Sequence, residues 1–181
     1  MGFHLEIRDT DKAACKELAR FAIAQRLGID LPRPDTSAPL FAQQYGAFVT
    51  LKRNGQLRGC IGNVSAASPL AETIERMAQA AAFEDPRFPP LGPEELAAVD
   101  LEISILGPIT PCPDPELVEV GRHGLMVRRG FHSGLLLPQV AVEWGWDRET
   151  FLDHTCLKAG LPRGCWKKPR VELWWFEAVV F

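Results

Sequence analysis

Ala47-Phe48-Val49-Thr50-Leu51-Lys52-Arg53-Asn54-Gly55-Gln56-Leu57-Arg58-Gly59-Cys60-Ile61-Gly62 is the stretch from which the fold is read. Ala47, Val49 and Leu51 alternate with Phe48, Thr50 and Lys52, the period of two that marks a strand. Asn54-Gly55 tolerates the positive φ angles of a tight hairpin turn. The chain then returns through Gln56 to Gly62, so this hairpin favours antiparallel pairing over a doubly wound parallel sheet. Two glycines inside the returning strand predict a bulge or a close approach of its backbone to something else.

Upstream, residues 9–27 read as a helix. Leu18, Phe21, Ala22, Ile23 and Leu27 make its apolar side, Asp9 or Thr10 its cap, and Gly28 its left-handed stop. The proline-rich residues 32–39 form a surface connector. Downstream, Ser68 is expected to cap a helix with Pro69 in its first turn, and Leu70, Ile74, Met77 and Ala81 line one side. Residues 85–91 carry too many prolines for regular structure. After a short helical turn at Glu94-Glu95-Leu96, Val99, Leu101, Ile103 and Ile105 mark a strand whose other face holds Asp100, Glu102 and Ser104.

Residues 125–128 and 134–137 read as two strands joined through Gly130. Pro138 opens a short helix that carries Gln139 and Glu143 on one face. Asp147 caps a second helix ending near Gly160, which buries Phe151, Leu152, Thr155, Cys156 and Ala159. On that helix His154 lies about 160° from Cys156, which does not suit a shared metal. Residues 171–181 are apolar on both faces, as a central strand would be. Core packing is the default reading of the five tryptophans, and a partner-binding patch is the alternative.

The 181 residues fit one domain or two small interlocked lobes. A net charge of -3 gives no electrostatic reason to expect nucleic acid or an anionic membrane. No apolar run approaches the ~18–20 residues that span a bilayer, and the start lacks a secretory signal. Gly2 is a poor myristoylation acceptor. A cytoplasmic protein is expected. Its five cysteines, at 15, 60, 112, 156 and 165, are odd in number and irregularly spaced. They read as reduced thiols rather than a disulfide framework. No Cys-x-x-Cys pair exists, so no zinc site and no other cofactor is expected.

Cys60 sits between two glycines beside a cation, Arg58. A nearby guanidinium favours thiolate, and the glycines let backbone amides face a ligand; the plainer reading is a small hydrophobe on a half-buried strand. His123, at the start of a strand, is a candidate base for such a thiol or an exposed strand-end histidine. His132 lies in a hairpin loop, and His4 sits near the terminus. Glu102, if its face of the sheet is covered, needs a partner, which Arg58 or Arg87 would supply.

Leu57-Arg58-Gly59-Cys60-Ile61-Gly62 resembles the signature hexapeptide of the AMMECR-type domain family, and Asp85-Pro86-Arg87-Phe88-Pro89-Pro90-Leu91 resembles its second block. Glu102-Ile103-Ser104-Ile105-Leu106, His123-Gly124-Leu125, the run from Gly134 to Asp147 and Thr155–Leu161 are similar to the remaining blocks, in order. The resemblance implies an α+β fold with mainly antiparallel sheets flanked by helices. It implies one domain over 1–181, made of two interlocked subdomains with a cleft between them. That cleft is expected to gather Cys60, His123 and Glu102 as catalytic groups and Arg58, Gly59, Gly62, Asp85 and Arg87 as binding groups, with Gln139 and Glu143 as neighbours. Prokaryotic members resemble component A of the AmmeMemoRadiSam system, which implies a Memo-like protein and a radical S-adenosylmethionine protein as partners. Two functions are open: an accessory module that binds a small anion or a partner's peptide, and a cysteine-dependent enzyme acting on a small anionic substrate.

Overall fold

The computed structural model describes residues 6–65 and 67–181; His4 and Gly2 lie outside them. The fold is α+β, with antiparallel strand pairing throughout the described ladders. The chain divides into two compact units, one of Glu6–Leu106 with Val179–Phe181 and one comprising Gly107–Ala178.

In the first unit, α1 spans Asp9–Arg26, α2 Pro39–Ala42, β1 Gly46–Arg53, β2 Gln56–Asn63, α3 Leu70–Phe83 and β3 Asp100–Leu106, with a 3-10 segment at Pro93–Ala98. The expected hairpin forms, with Asn54 at φ 52° and Gly55 at φ 75° closing a two-residue turn. β1 lies between β2 and β3. Its inward residues Ala47, Val49 and Leu51, with Ile103 and Ile105, are fully buried. They pack with α1 and α3, whose Leu18, Ala22, Ile23, Leu70, Ile74 and Ala78 are equally inaccessible. Phe181 exchanges two backbone hydrogen bonds with Ile103, at 2.9 and 3.1 Å.

Both devices predicted for the glycines of β2 occur. The register shifts between Leu51 and Lys52, because Gly59 pairs Leu51 while Leu57 pairs Lys52, which leaves Arg58 as the extra residue of a bulge. A Cβ on Gly59 would lie 2.1 Å from the Ala81 carbonyl oxygen, so α3 rests directly on the strand there.

Two helix starts differ from expectation. Arg8, not Asp9 or Thr10, takes the position before α1, and it donates to both oxygens of Asp11 at 2.9 and 3.0 Å. Pro69, not Ser68, precedes α3. The Leu70 amide is satisfied by the Gln43 carbonyl at 2.8 Å, and residues 44 and 69 bridge, so no serine cap is needed.

In the second unit, β4 spans Thr110–Pro111, β5 His123–Arg129, β6 His132–Leu136, α4 Pro138–Glu143 and α5 Arg148–Lys158, and β7, Glu172–Val180, belongs to it up to Ala178. β7 pairs both β4 and β5, the central position expected of it, and β5 pairs β6 through the turn at Gly130. Asp147 caps α5 by accepting from the Thr150 amide at 2.8 Å. The buried side of α5 is as predicted: Phe151, Leu152, Thr155 and Cys156 are inaccessible, with Leu125 and Val127 of β5 among their neighbours.

One expectation is overturned. Cys156 and Cys165 form a disulfide, so only Cys15, Cys60 and Cys112 are thiols. Spacing did not reveal it because the pair is joined by a reversal of the chain: Gly160 and Gly164 adopt positive φ, and this brings the 3-10 segment Cys165–Lys167 back onto the end of α5.

Two measurements check these contacts. Gly59→Ala is expected to lower stability by about 2 kcal/mol or more, because backbone and not a flexible side chain stands in the way; urea denaturation reads it. Reducing Cys156–Cys165 is expected to cost about 2–3 kcal/mol for so short a loop, read as a lower urea midpoint with dithiothreitol than without.

Candidate functional site

β2 is an edge strand, so its outward amides and carbonyls need partners from outside the sheet. At Cys60 the loop after α3 supplies them. Asp85 accepts from the Cys60 amide at 2.9 Å, and from the Arg87 amide, Nε and Nη2 at 3.1, 2.9 and 2.7 Å. Arg87 Nη2 in turn donates to the Cys60 carbonyl at 3.3 Å. The Arg87 guanidinium beside it holds Asp85 far below the ordinary carboxylate range, despite burial to 4% exposure.

The Cys60 side chain lies on the sheet face opposite the helices, in a cross-strand row with Thr50 and Glu102. Thr50 Oγ1 donates to the Cys60 sulfur at 3.2 Å. Glu102 pairs with Lys52 Nζ at 2.8 Å rather than with Arg58 or Arg87, because Lys52 is its diagonal neighbour on β1.

Arg58 does not serve the thiol. The bulge takes it out of alternation and buries it to 9% exposure. There its Nε and Nη2 reach the two oxygens of Glu95 at 3.0 and 2.9 Å, and Nη1 reaches the Pro89 carbonyl at 3.0 Å. Arg53 adds a third bond to Glu95 at 3.0 Å. The Arg58 guanidinium, helped by the Gly92 amide, pulls the Glu95 carboxyl down to about 2. Gly59 and Gly62 are covered from within, by Ala81 and by the Phe48 ring, which a Cβ on Gly62 would meet at 2.1 Å.

His123, Gln139 and Glu143 belong to the second unit. His123 is 6% exposed and stacks on Trp175 with ring centroids 4.4 Å apart. Its Nδ1 accepts from the Glu119 amide at 3.0 Å. Burial, and then the charge of Arg122, lower its pKa. His123, Trp175, Glu119 and Arg122 line a cavity of about 600 Å³ together with Glu177 and Leu117. Gln139 and Glu143 lie one turn apart on α4.

The structure thus places Cys60, Asp85 and Arg87 in contact, and adds Thr50, Lys52 and Glu95 as neighbours that the sequence reading did not name as site residues. The alternation of Thr50 and Lys52 with buried residues was the available signal for two of them. Most of the tryptophans are at least partly buried, Trp146, Trp166 and Trp175 packing on the second unit's core. Trp144, at 69% exposure, is the exception; it stacks on Trp146, which stacks on His154.

The AMMECR1 family profile matches residues 16–181. A protein of Methanothermobacter thermautotrophicus is 46% identical over 96% of this chain and 94% of its own length. Protein PH0010 of Pyrococcus horikoshii is 44% identical over 91% of this chain and 85% of its own. The crystal structure of that uncharacterized protein superposes with a TM-score of 0.88 at 40% identity, covering 97% of this chain and 93% of that one.

The depressed carboxyls fix a pH dependence. A carboxyl whose folded pKa lies below its unfolded value adds stability above the unfolded value, about 4.5 for Glu95, and loses it as pH falls through about 2. Glu95→Gln is therefore expected to cost on the order of 3 kcal/mol at neutral pH. It should also flatten the loss of stability between about pH 5 and pH 2, read from urea midpoints across that range.

Proposed function

The chain belongs to the AMMECR1 family, and from that premise we propose that it works as an accessory binding module rather than as a cysteine enzyme. One observation carries this reading: the polar groups around the Cys60 thiol are engaged by other groups of the same unit. Arg58 is held by Glu95, Asp85 by Arg87 and Glu102 by Lys52, and the sulfur accepts from Thr50. Among the described residues of the first unit no histidine or carboxylate is hydrogen-bonded to that sulfur, the geometry a nucleophile and its base share. The hexapeptide then serves to shape a rigid surface. On it the Arg87 guanidinium, 54% exposed, is the contact offered to a partner's peptide or a small anion.

The family resemblance supplies the partners proposed for this surface, a Memo-like protein and a radical S-adenosylmethionine protein, with any radical chemistry carried by the latter. No described helix is long and apolar enough to cross a membrane. The location that we propose, on the sequence reading, is the cytoplasm. A disulfide whose cysteines are 0% and 2% exposed is shielded there from attack by thiols.

The competing reading, Cys60 as nucleophile or redox thiol, draws on its half-buried side chain and on the guanidinium at its own carbonyl. Alkylation separates the two. Burial raises the pKa of Cys112, the other half-buried thiol, so free glutathione serves as the reference. With iodoacetamide and peptide mapping, Cys60 is expected to react no faster than glutathione, and Cys60→Ser is expected to keep capture of the two purified partners. Reaction about tenfold faster at Cys60, the mark of a stabilised thiolate, would decide for the enzyme.

A further inference from the structure

The chain-wide net charge of -3 conceals a segregation of charge that the fold creates. Residues 128–133 and 158–172 hold seven of the 20 lysines and arginines and a single acid, Glu172. Far apart in sequence, they meet at one end of the second unit. β5 and β7 pair Arg128 with Glu172, so Arg170, two residues earlier, comes at the same end of the sheet as the turn at Gly130. The end of α5 lies on β6. A Cβ on Gly134 would collide with the backbone of Lys158 and Ala159, and one on Gly160 would lie 3.6 Å from His132 Nδ1. Beneath them Val127, Ala159, Leu161 and the Cys156–Cys165 disulfide form one buried cluster, with Val171 packed on it. The cations of both runs are therefore rooted on a common piece of core.

Few of these charges are matched inside the protein. Arg128 meets Glu172 at 3.4 Å and Lys167 meets Glu149 at 2.6 Å. The other acid of α5, Asp153, accepts from the Gly164 amide and from Trp166 Nε1. Arg129, Lys158, Arg163, Lys168 and Arg170 are exposed, and among the described residues none of them makes an ion pair or a side-chain hydrogen bond.

At the apex stands Phe131. It follows Gly130 in the two-residue turn of the β5–β6 hairpin, a place that ordinarily takes Asn, Gly or Ser. Its accessibility of 108% means that the ring touches essentially nothing of the protein. No packing accounts for it. An aromatic ring carried on a tight turn, with unpaired cations around it, can enter an apolar medium while its flanks meet anions. A bilayer with anionic headgroups presents the two in that order, phosphates at the surface and hydrocarbon beneath. An acidic peptide would neutralise the cations and leave the ring in water. Nucleic-acid stacking uses rings laid along a groove, and this ring has no surface behind it.

We propose that this end of the second unit docks the protein on an anionic membrane surface, with Phe131 entering the boundary between headgroups and acyl chains. Arg129, Lys158, Lys168 and Arg170 meet lipid phosphates. One aromatic anchor and a handful of charges give reversible attachment that salt removes, not insertion. The surface is separate from Cys60 and Arg87, so the binding-module reading stands or falls on its own test.

The test is co-sedimentation of the full chain with vesicles of phosphatidylcholine alone and of phosphatidylcholine mixed with phosphatidylglycerol. Binding is expected only to the mixed vesicles at low ionic strength, and is expected to be lost at about 0.5 M sodium chloride. Phe131→Ser is expected to weaken it about tenfold, the contribution of one aromatic side chain removed from water. The double variant R129Q/K168Q is expected to weaken it at least about tenfold, since each cation near such a surface contributes about fivefold. All three side chains are exposed, so these variants keep the fold, and the native chain's choice between the vesicles is read without any substitution. Equal sedimentation with both vesicle types, no binding to the mixed vesicles, or binding that Phe131→Ser leaves unchanged would each overturn the proposal. So would tighter binding, per phosphate, to a short single-stranded RNA or duplex DNA than to the mixed vesicles, which would assign the surface to nucleic acid.

Discussion

A guanidinium taken out of water must have its donors met, and Arg58 meets that demand with the two oxygens of Glu95 and the carbonyl of Pro89. Breaking one partner of such a pair leaves the other charged and buried, which costs far more than the pair contributes. The pairing therefore fixes several things together. It orients the bulge of β2, pins the proline-rich segment after α3, and anchors the short 3-10 turn that carries Glu95. The Asp85–Arg87 clasp on Cys60 is delivered by that same segment.

The sequence pattern made the scaffold legible. Alternation around Asn54-Gly55 gave the hairpin, helical spacing gave the buried sides of α3 and α5, and two glycines in one strand announced a bulge. The side-chain partners were less legible, for a geometric reason. Alternation assigns residues 58 and 60 to one face, and this made Arg58 the expected neighbour of the thiol. A bulge breaks that rule at the residue it adds, so the cation near Cys60 comes instead from residue 87. Glu102 was likewise assigned a distant arginine when a cross-strand diagonal already offered Lys52. The disulfide escaped because it depends on a reversal between residues 160 and 164, and spacing does not encode the direction in which a turn sends the chain.

The two units offer different chemistry. In the first, charges come in matched pairs around a thiol that accepts from a hydroxyl. In the second, a histidine whose Nδ1 accepts a backbone amide stacks on an indole beside an arginine that bonds two carboxylates. Family membership is shared by relatives with nearly the same chain length.

The clasp at the sheet margin bears on how the molecule behaves in a crowded solution. An uncovered strand border is a template on which another chain can lay down its own backbone, and growth from it continues into fibres. Asp85 and Arg87 occupy the positions that an incoming strand would use at Cys60, with a charged pair that such a strand cannot displace cheaply. The stretch that looks most like a reactive centre thus doubles as a guard on colloidal stability, and selection to keep the protein dispersed would preserve these residues even with no substrate to bind.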